Sequence, residues 1–480
     1  CTYCGCGCGI HLGVSGDRLV SARGERENPS NEGRLCVKGR FGFQFVNSPD
    51  RLKTPLIRRN GSLEEATWDE ALELVAEKFS AARGDAFAVI ASAKLTNEEN
   101  YLLQKFSRAV MGTNNVDHCA RLCHSPSVAG LVQSLGSGAM TSSSKDLGDA
   151  RCIFAIGTNT TAAHPIIGLQ VMRSIRDGGK LIVANPREIE LARHADLYLQ
   201  NRAGSDVALL MGMMRVIVDE GLHDPEYIEA RCENFEAFRE SLAAYDEATV
   251  EEKTGVPFTL IAEAARMYAE NSPAAILYAM GLTQHTHGTD NVLATSNLAL
   301  LTGNVGVPSG GVNPLRGQSN VQGACDMGAL PNVYPGYQKV DLPEVKEKFE
   351  KAWGAELDDV PGLTHLEILR GVTAGPIRSI YRVGENPALS EADATHAREA
   401  MEKVDFLVVQ DIFLTESAEY ADVVLPAASF AEKDGTFTNT ERRVQRVRKV
   451  IEPVGDSRDD AWITCAIARR MGESGFDFET

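Results

Sequence analysis

Apolar and polar positions follow two rhythms along the chain. Ala71, Leu72, Leu74, Val75 and Phe79 recur at the three-to-four-residue spacing of an amphipathic helix. Thr67 opens that helix and Glu70 stands three residues on, the reciprocal pair of a capping box. Thr96 and Glu99 repeat the device ahead of Leu102, Leu103, Phe106 and Val110, and Gly112 stops this second helix. Beyond residue 150 the rhythm changes to short apolar runs that end in Gly, Asn or Asp. Cys152–Ile156 ends at Gly157-Thr158-Asn159, Leu181–Ala184 ends at Asn185-Pro186-Arg187, and Ala195–Leu199 follows. Strands alternating with helices predict parallel α/β sheets.

The same order recurs later. Ile380–Val383 ends at Gly384-Glu385-Asn386-Pro387, Phe406–Val409 ends at Gln410-Asp411, and Ala421–Leu425 follows. Asn159 and Asn185 stand 26 residues apart, and Asn386 and Asp411 stand 25 apart. Ala195 follows Asn185 by 10 residues, and Ala421 follows Asp411 by 10. The matched spacing and the shared Ala-Asp-x-x-Leu predict two Rossmann-like modules related by duplication. Ligands of open parallel sheets lie outside the carboxyl ends of the strands, where these Gly, Asn and Asp residues fall. No G-x-x-x-x-G-K-[ST] phosphate loop occurs, nor a G-x-G-x-x-G at a strand end. The two modules therefore predict two similar nucleotide-bearing ligands of another kind.

Composition narrows the class. At 480 residues the chain has room for about three domains. Its 43% apolar and 24% charged residues are ordinary for a globular protein. No apolar run approaches the ~18 residues of a membrane span. The net charge of −18 makes nucleic acid a poor partner. Five of the 11 cysteines fall within the first 36 residues, a clustering that points to metal or redox chemistry rather than disulfides.

Three constellations carry that chemistry. Cys1, Cys4 and Cys8 share one tight loop and Cys36 stands 28 positions beyond Cys8. Four thiolates so spaced suit a [4Fe–4S] cluster and, less well, zinc; Cys6 is an extra thiol inside the loop. Asn115 to Pro126 sets Cys119 and Cys123 beside His118 and His124 in a polar stretch, a second soft-ligand candidate. Gly310 to Gly323 is a Gly-punctuated polar loop with one cation, Arg316, whose planar fork suits a carboxylate or another planar oxyanion.

Together these motifs resemble the molybdopterin oxidoreductases. Cys1-x2-Cys4-x3-Cys8 with Leu35-Cys36-Val37-Lys38-Gly39-Arg40 is similar to the family's opening. Arg121 to Gly130 and Gly311 to Gly328 are similar to its formate dehydrogenase branch, in the cysteine form. The resemblance spans essentially the whole chain. It implies a molybdenum or tungsten ion between two molybdopterin guanine dinucleotides, with a [4Fe–4S] cluster on Cys1, Cys4, Cys8 and Cys36. It implies that Cys123 sits on the metal, that Arg316 holds the formate carboxylate, and that Lys38 lies between cluster and pterin in the electron path. His124, whose ordinary pKa is near 6.5, is expected to accept a proton or to set the charge of the substrate channel. Cofactor contacts carry over to Asn159, Asn185, Pro186, Arg187, Gly204, Asp206, Met280, Gly281 and Gln284 in one module. In the other they carry over to Gln318, Gly384, Glu385, Asn386, Gln410, Asp411 and Thr415.

The expected architecture is multi-domain α/β. Residues 1–55 form a small iron–sulfur domain, joined by about 428–458; 56–118 with 319–480 form one pterin-dinucleotide domain, and 119–318 the other. The family's further C-terminal pterin-binding domain is expected to be missing from this chain or supplied by another. The expected activity is oxidation of formate to carbon dioxide, or the reverse. Expected partners are those small molecules and an electron-transfer subunit of iron–sulfur, flavin/NAD or hydrogenase type. A cytoplasmic location is expected; because the chain opens on Cys1 it reads as trimmed, and an export signal stays open. Two alternatives stand beside this reading. One is another oxyanion enzyme of the same cofactor class, such as a nitrate reductase. The other is a non-catalytic relay like the large iron–sulfur subunit of complex I.

Overall fold

A computed structural model describes residues 1–478. The chain opens on a hairpin of β1 (Ile10–Ser15) and β2 (Arg18–Gly24), and a second hairpin pairs β3 (Leu56–Arg59) with β4 (Ser62–Glu65). There follow β5 (Phe87–Ala91), β6 (Val116–His118), β7 (Cys152–Ile156), β8 (Lys180–Ala184) and β9 (Leu197–Leu199). Next come β10 (Ala274–Tyr278), β11 (Gly311–Pro314) and a short pair, β12 (Val333–Tyr334) and β13 (Gln338–Lys339). Last are β14 (Ser379–Val383), β15 (Phe406–Asp411), β16 (Val423–Pro426) and the hairpin of β17 (Gly435–Thr438) and β18 (Val444–Val447).

Two sheets dominate. One is parallel throughout, in the order β11-β10-β7-β8-β9. The other runs β4-β3-β16-β15-β14-β5-β6, parallel from β16 to β6, with β3 and β4 antiparallel at its edge. Matched from one side, β9-β8-β7-β10-β11 corresponds to β16-β15-β14-β5-β6. The three strands expected in each module occupy the same places. The difference is that β5 and β6, which complete the second sheet, come from the N-terminal part of the chain. The short, polar β6 and β11 carry too few apolar residues to be recognised from the pattern.

Both faces of these sheets are covered, which is why their strands read as continuous apolar runs. Phe154 and Ile156 of β7 face one core with Leu210 and Met214, while Ile153 and Ala155 face another with Ile167 and Val171. In β5, Phe87 and Val89 pack with Phe79 and Phe106, and Ala88 and Ile90 pack with Ile368 and Leu369. Both predicted capping boxes are present, on the helices Trp68–Ala81 and Asn97–Lys105. The second helix widens into a π-turn over Phe106–Val110. Within that turn the buried Arg108 donates to the carbonyls of Gly328, Leu330 and Val333 at 2.6–2.9 Å, fixing the segment that follows the Arg316 loop.

The β17–β18 hairpin packs on the N-terminal loop. Thr440 N–H donates to Gly5 O at 2.8 Å and Gln445 Nε2 donates to Gly7 O at 2.7 Å. Ala431 and Ile451 share a small core with Leu19, Ala22, Phe43 and Val46. Among the described residues no helix is long and apolar enough to cross a membrane.

Candidate active site

The N-terminal loop gathers thiols. Cys4, Cys6 and Cys8 are buried in one cluster, with the half-buried Cys1 and Leu35 packed against them. Cys36 stands at the N-terminal boundary of the short helix Val37–Phe41, its side chain making no capping bond. The Cys6 thiol hydrogen-bonds to Cys4 and, with the charges of His164 and Lys38 and against burial, pulls Cys4 down to about 5. Cys6 is driven well above its ordinary value by the same bond and by burial. Burial and the neighbouring Cys4 push Cys8 up to about 12. The loop needs its glycines. Gly7 sits at φ +70°, and a Cβ on Gly5 would stand 2.6 Å from Cβ of Arg316.

Lys38, two residues past Cys36, donates to the carbonyl of Ala163 at 2.9 Å. That carbonyl ends the helical turn Thr160–Ala163 after β7. The next residue, His164, donates from Nε2 to the carbonyl of Arg316 at 2.8 Å, and the Gly5 amide donates to the same oxygen at 2.9 Å. The cysteine loop and the Arg316 loop are therefore bonded neighbours.

Arg316 is fully buried, at 0% exposure. Its Nη2 donates to Gly138 O at 2.6 Å and to Gln322 Oε1 at 3.2 Å, while Nε and Nη1 are buried with no partner. Gln322 is held in turn, donating to Asp326 at 2.8 Å and to Tyr337 at 3.1 Å. Cys123 closes the turn Ala120–Cys123, and its Sγ lies 4.0 Å from where a Cβ on Gly317 would stand. Burial pushes the Cys123 thiol up to about 11, against the pull of Arg316 and the Gly317 amide. His124 donates from Nε2 to Leu315 O at 3.2 Å, so its Nδ1 accepts from Ser127 at 2.9 Å. Burial, and after it the Arg316 charge, holds His124 well below its ordinary pKa. The imidazole is therefore neutral, and its one proton is already committed to a carbonyl.

The remaining predicted residues stand at strand ends. Asn159, Asn185-Pro186-Arg187 and Met280-Gly281 follow β7, β8 and β10, while Gly204 and Asp206 precede and open the helix Asp206–Asp219 beyond β9. Gln284 donates to Leu122 O at 2.9 Å, and Gly281 lies so close to Gly157 that a Cβ would meet its carbonyl at 2.5 Å. In the other sheet, Gln318, Gly384, Glu385, Asn386, Asp411 and Thr415 line one cavity of about 310 Å³. Gln410 lines an adjoining one of about 350 Å³. Two of these side chains are already occupied. Gln410 accepts from Tyr381 and donates to Asp460 at 2.6 Å, and Asn386 donates to Glu416 at 2.7 Å and accepts from Ser417.

Sequence reading passed over His164, Gln322, Lys94 and Arg382. Lys94 lines both cavities and donates to Thr2 O and Tyr3 O at 3.0 and 3.1 Å. It follows the end of β5, so the strand-end rule would have found it had β5 been recognised. Arg382 is buried within β14, bonded to Asp411 and Thr415 at 3.3 and 3.2 Å, with Nε and Nη1 unpartnered. A charge inside an apolar strand was its signal.

Comparison with known proteins identifies the family of the chain. Residues 1–48 match the molybdopterin oxidoreductase Fe4S4 domain and residues 51–470 match molybdopterin oxidoreductase. The chain is 50% identical over 482 residues to the F420-dependent formate dehydrogenase 1 subunit alpha of Methanococcus maripaludis, covering 100% of this chain and 71% of that protein. It is 46% identical over 484 residues to formate dehydrogenase H of Escherichia coli, covering 98% of this chain and 68% of that one. The fold superimposes on acetylene hydratase from Pelobacter acetylenicus with TM-score 0.81 at 23% identity, over 99% of this chain and 70% of that chain. The chain belongs to the molybdopterin oxidoreductase family.

Proposed function

We propose that this chain is the catalytic subunit of a formate dehydrogenase, oxidising formate to carbon dioxide or running the reverse. Its cofactors are those of the family: a molybdenum or tungsten ion on two molybdopterin guanine dinucleotides, and a [4Fe–4S] cluster. The observation that carries the reading is Arg316, a fully buried guanidinium with two unpartnered nitrogens beside Cys123. A buried cation left so is costly, and a small planar carboxylate is its natural complement. The similarity to formate dehydrogenases at 46–50% identity supports the same substrate.

The residues present fit the cofactors. Cys1, Cys4, Cys8 and Cys36 would hold the cluster. Among the described residues no three His, Cys, Asp or Glu side chains converge as a single-ion site requires. A cubane takes one cysteine per iron, so its ligands need not meet at a point. Cys123 would ligate molybdenum or tungsten. The strand-end residues of the two sheets would each hold one dinucleotide, with Lys94 and Arg382 beside the second. Gln410 and Asn386 would act there by positioning, because their polar atoms are already engaged. The domains of this reading are 1–55 joined by about 428–458, 56–118 with 319–480, and 119–318.

When bound, the metal held by Cys123 would supply two-electron redox chemistry, and the cluster held by Cys1, Cys4, Cys8 and Cys36 one-electron transfer. The chain's part is orientation and charge. Arg316 grips the carboxylate and turns its C–H towards the Cys123 side. Gln322 and the Arg316 carbonyl contacts hold that guanidinium in place. Neutral His124 adds no charge that would compete for the anion. Lys38 sets a positive charge between the cysteine loop and the β7 strand end. The electrons leave to a partner subunit, and a cytoplasmic location belongs to the same proposal. The test is formate-dependent reduction of a viologen dye by the complete protein purified without oxygen, with metal content read on the same sample. Turnover with molybdenum or tungsten present is the expected result. A full metal load without turnover would overturn the formate assignment.

A further inference from the structure

A cavity of about 670 Å³ lies between the β1–β2 and β17–β18 hairpins. Cys1 and Cys8 line it, and so do Arg443, Arg446 and Arg448. It includes neither Cys123 nor Arg316. The segment 442–449 reads Arg-Arg-Val-Gln-Arg-Val-Arg-Lys, with five cations and no acid, in a chain of net charge −18. All five cations are exposed. Arg443 pairs with Glu441 at 3.1 Å and Arg446 with Asp434 at 3.4 Å. Lys449 pairs with Glu452, while Arg442 and Arg448 have no ion pair among the described residues. The Arg446 and Lys449 pairs are exposed and worth at most ~1 kcal/mol, so these cations, with the unpaired Arg442 and Arg448, are free to be recruited by a partner, whereas Arg443 is held on the buried Glu441. Val444 and Val450, 63% and 39% exposed, stand among them. Apolar side chains within a charged rim have the composition of a protein-binding surface rather than of a small-anion pocket.

We propose that this face is the docking surface for an acidic iron–sulfur electron carrier. The proposal rests on the function given above, because it places the carrier beside the thiols assigned to the cluster. The rest of the surface is net acidic and repels such a carrier, so the basic strand would fix orientation as well as raise the encounter rate. Each docking event moves one electron from the reduced cluster to the oxidised carrier, with no bond made or broken. Two events clear the electron pair of one formate.

The test uses the complete, cluster-loaded subunit under anaerobic conditions, with an acidic low-potential ferredoxin as probe and calorimetry as readout. Binding should weaken about tenfold between roughly 0.05 and 0.3 M salt, as screening removes the attraction. The double variant Arg446→Glu/Arg448→Glu should weaken it at least about thirtyfold at the lower salt. The matching double Lys variant should stay within about threefold, because the field needs charge and not fork geometry. Viologen reduction by formate should be unchanged in both variants. Salt-independent binding, or wild-type affinity in the Glu variant, would overturn the proposal. So would a face that takes up inorganic phosphate or a second copy of this chain and no ferredoxin. A wild-type protein that binds ferredoxin with the stated salt dependence but reduces no viologen with formate would sink the substrate assignment and leave the docking surface standing.

Discussion

His164 Nε2 donates to the carbonyl oxygen of Arg316 at 2.8 Å. Together with the Gly5 amide on the same oxygen, this bond ties the loop after β7, the cysteine loop and the Arg316 loop at one atom. Replacing His164 with Ala removes one of two buried donors, a change worth about 1–3 kcal/mol. We expect a fall of that size in unfolding free energy and a severalfold rise in KM for formate, with kcat less affected. Iron content should hold. Unchanged KM would mean that the bond does not position the guanidinium.

Arg316→Lys keeps the charge and loses the fork. A lysine cannot satisfy Gly138 O, Gln322 and a carboxylate together at the observed spacing. Formate turnover should drop at least about tenfold, the discrimination expected for a lost charge-assisted contact. Metal and iron content should stay at wild-type level. Turnover at the wild-type rate would remove Arg316 from substrate binding.

Cys123→Ser exchanges a soft thiol for a hard hydroxyl at nearly constant volume. The bond that the Thr283 hydroxyl donates to the Cys123 carbonyl at 2.6 Å is untouched, so the turn should persist. Formate turnover should be lost while the iron–sulfur absorbance remains. Retained turnover would show that the thiol is not a ligand in the working enzyme.

Burial, opposed by Asp117, lowers His118 to about 4. Its Nδ1 accepts from the Ala120 amide at 3.4 Å and its Nε2 faces Cys325 at 3.4 Å, contacts suited to the neutral ring. A histidine lowered in the folded state gains a proton on unfolding below pH ~6.5, so it stabilises the fold above that pH. The contribution should fade as pH drops from ~6.5 towards ~4, by about 3 kcal/mol in all. Denaturant unfolding of wild type against His118→Gln should show the difference as one proton less in the pH slope. Parallel slopes would contradict the buried neutral assignment.

Much of the fold was legible because it rests on local rules. Thr67 with Glu70 and Thr96 with Glu99 are capping boxes whatever lies around them, since each pair satisfies backbone groups within four residues. The runs at Cys152, Leu181, Ile380 and Phe406 read as strands because both faces of each are covered. The polar residues after them could be placed at strand ends for the same reason.

Contacts across the chain were not legible. That β5 and β6 complete the same sheet as β14, β15 and β16 depends on pairing between distant segments, which no local pattern encodes. His164 reaches Arg316 across 152 positions, and Lys94 reaches Tyr3 across 91. The sequence by itself determined the residue types available for chemistry: four clustered thiols, a Cys-His pair and one arginine in a glycine-punctuated loop. Only the tertiary structure decided their states. Burial made His124 neutral, spent the amide of Gln410 on Tyr381 and Asp460, and left two nitrogens of Arg316 without a partner. Protonation and hydrogen bonding follow the local dielectric and the nearest donor, and both are set by what folding brings alongside.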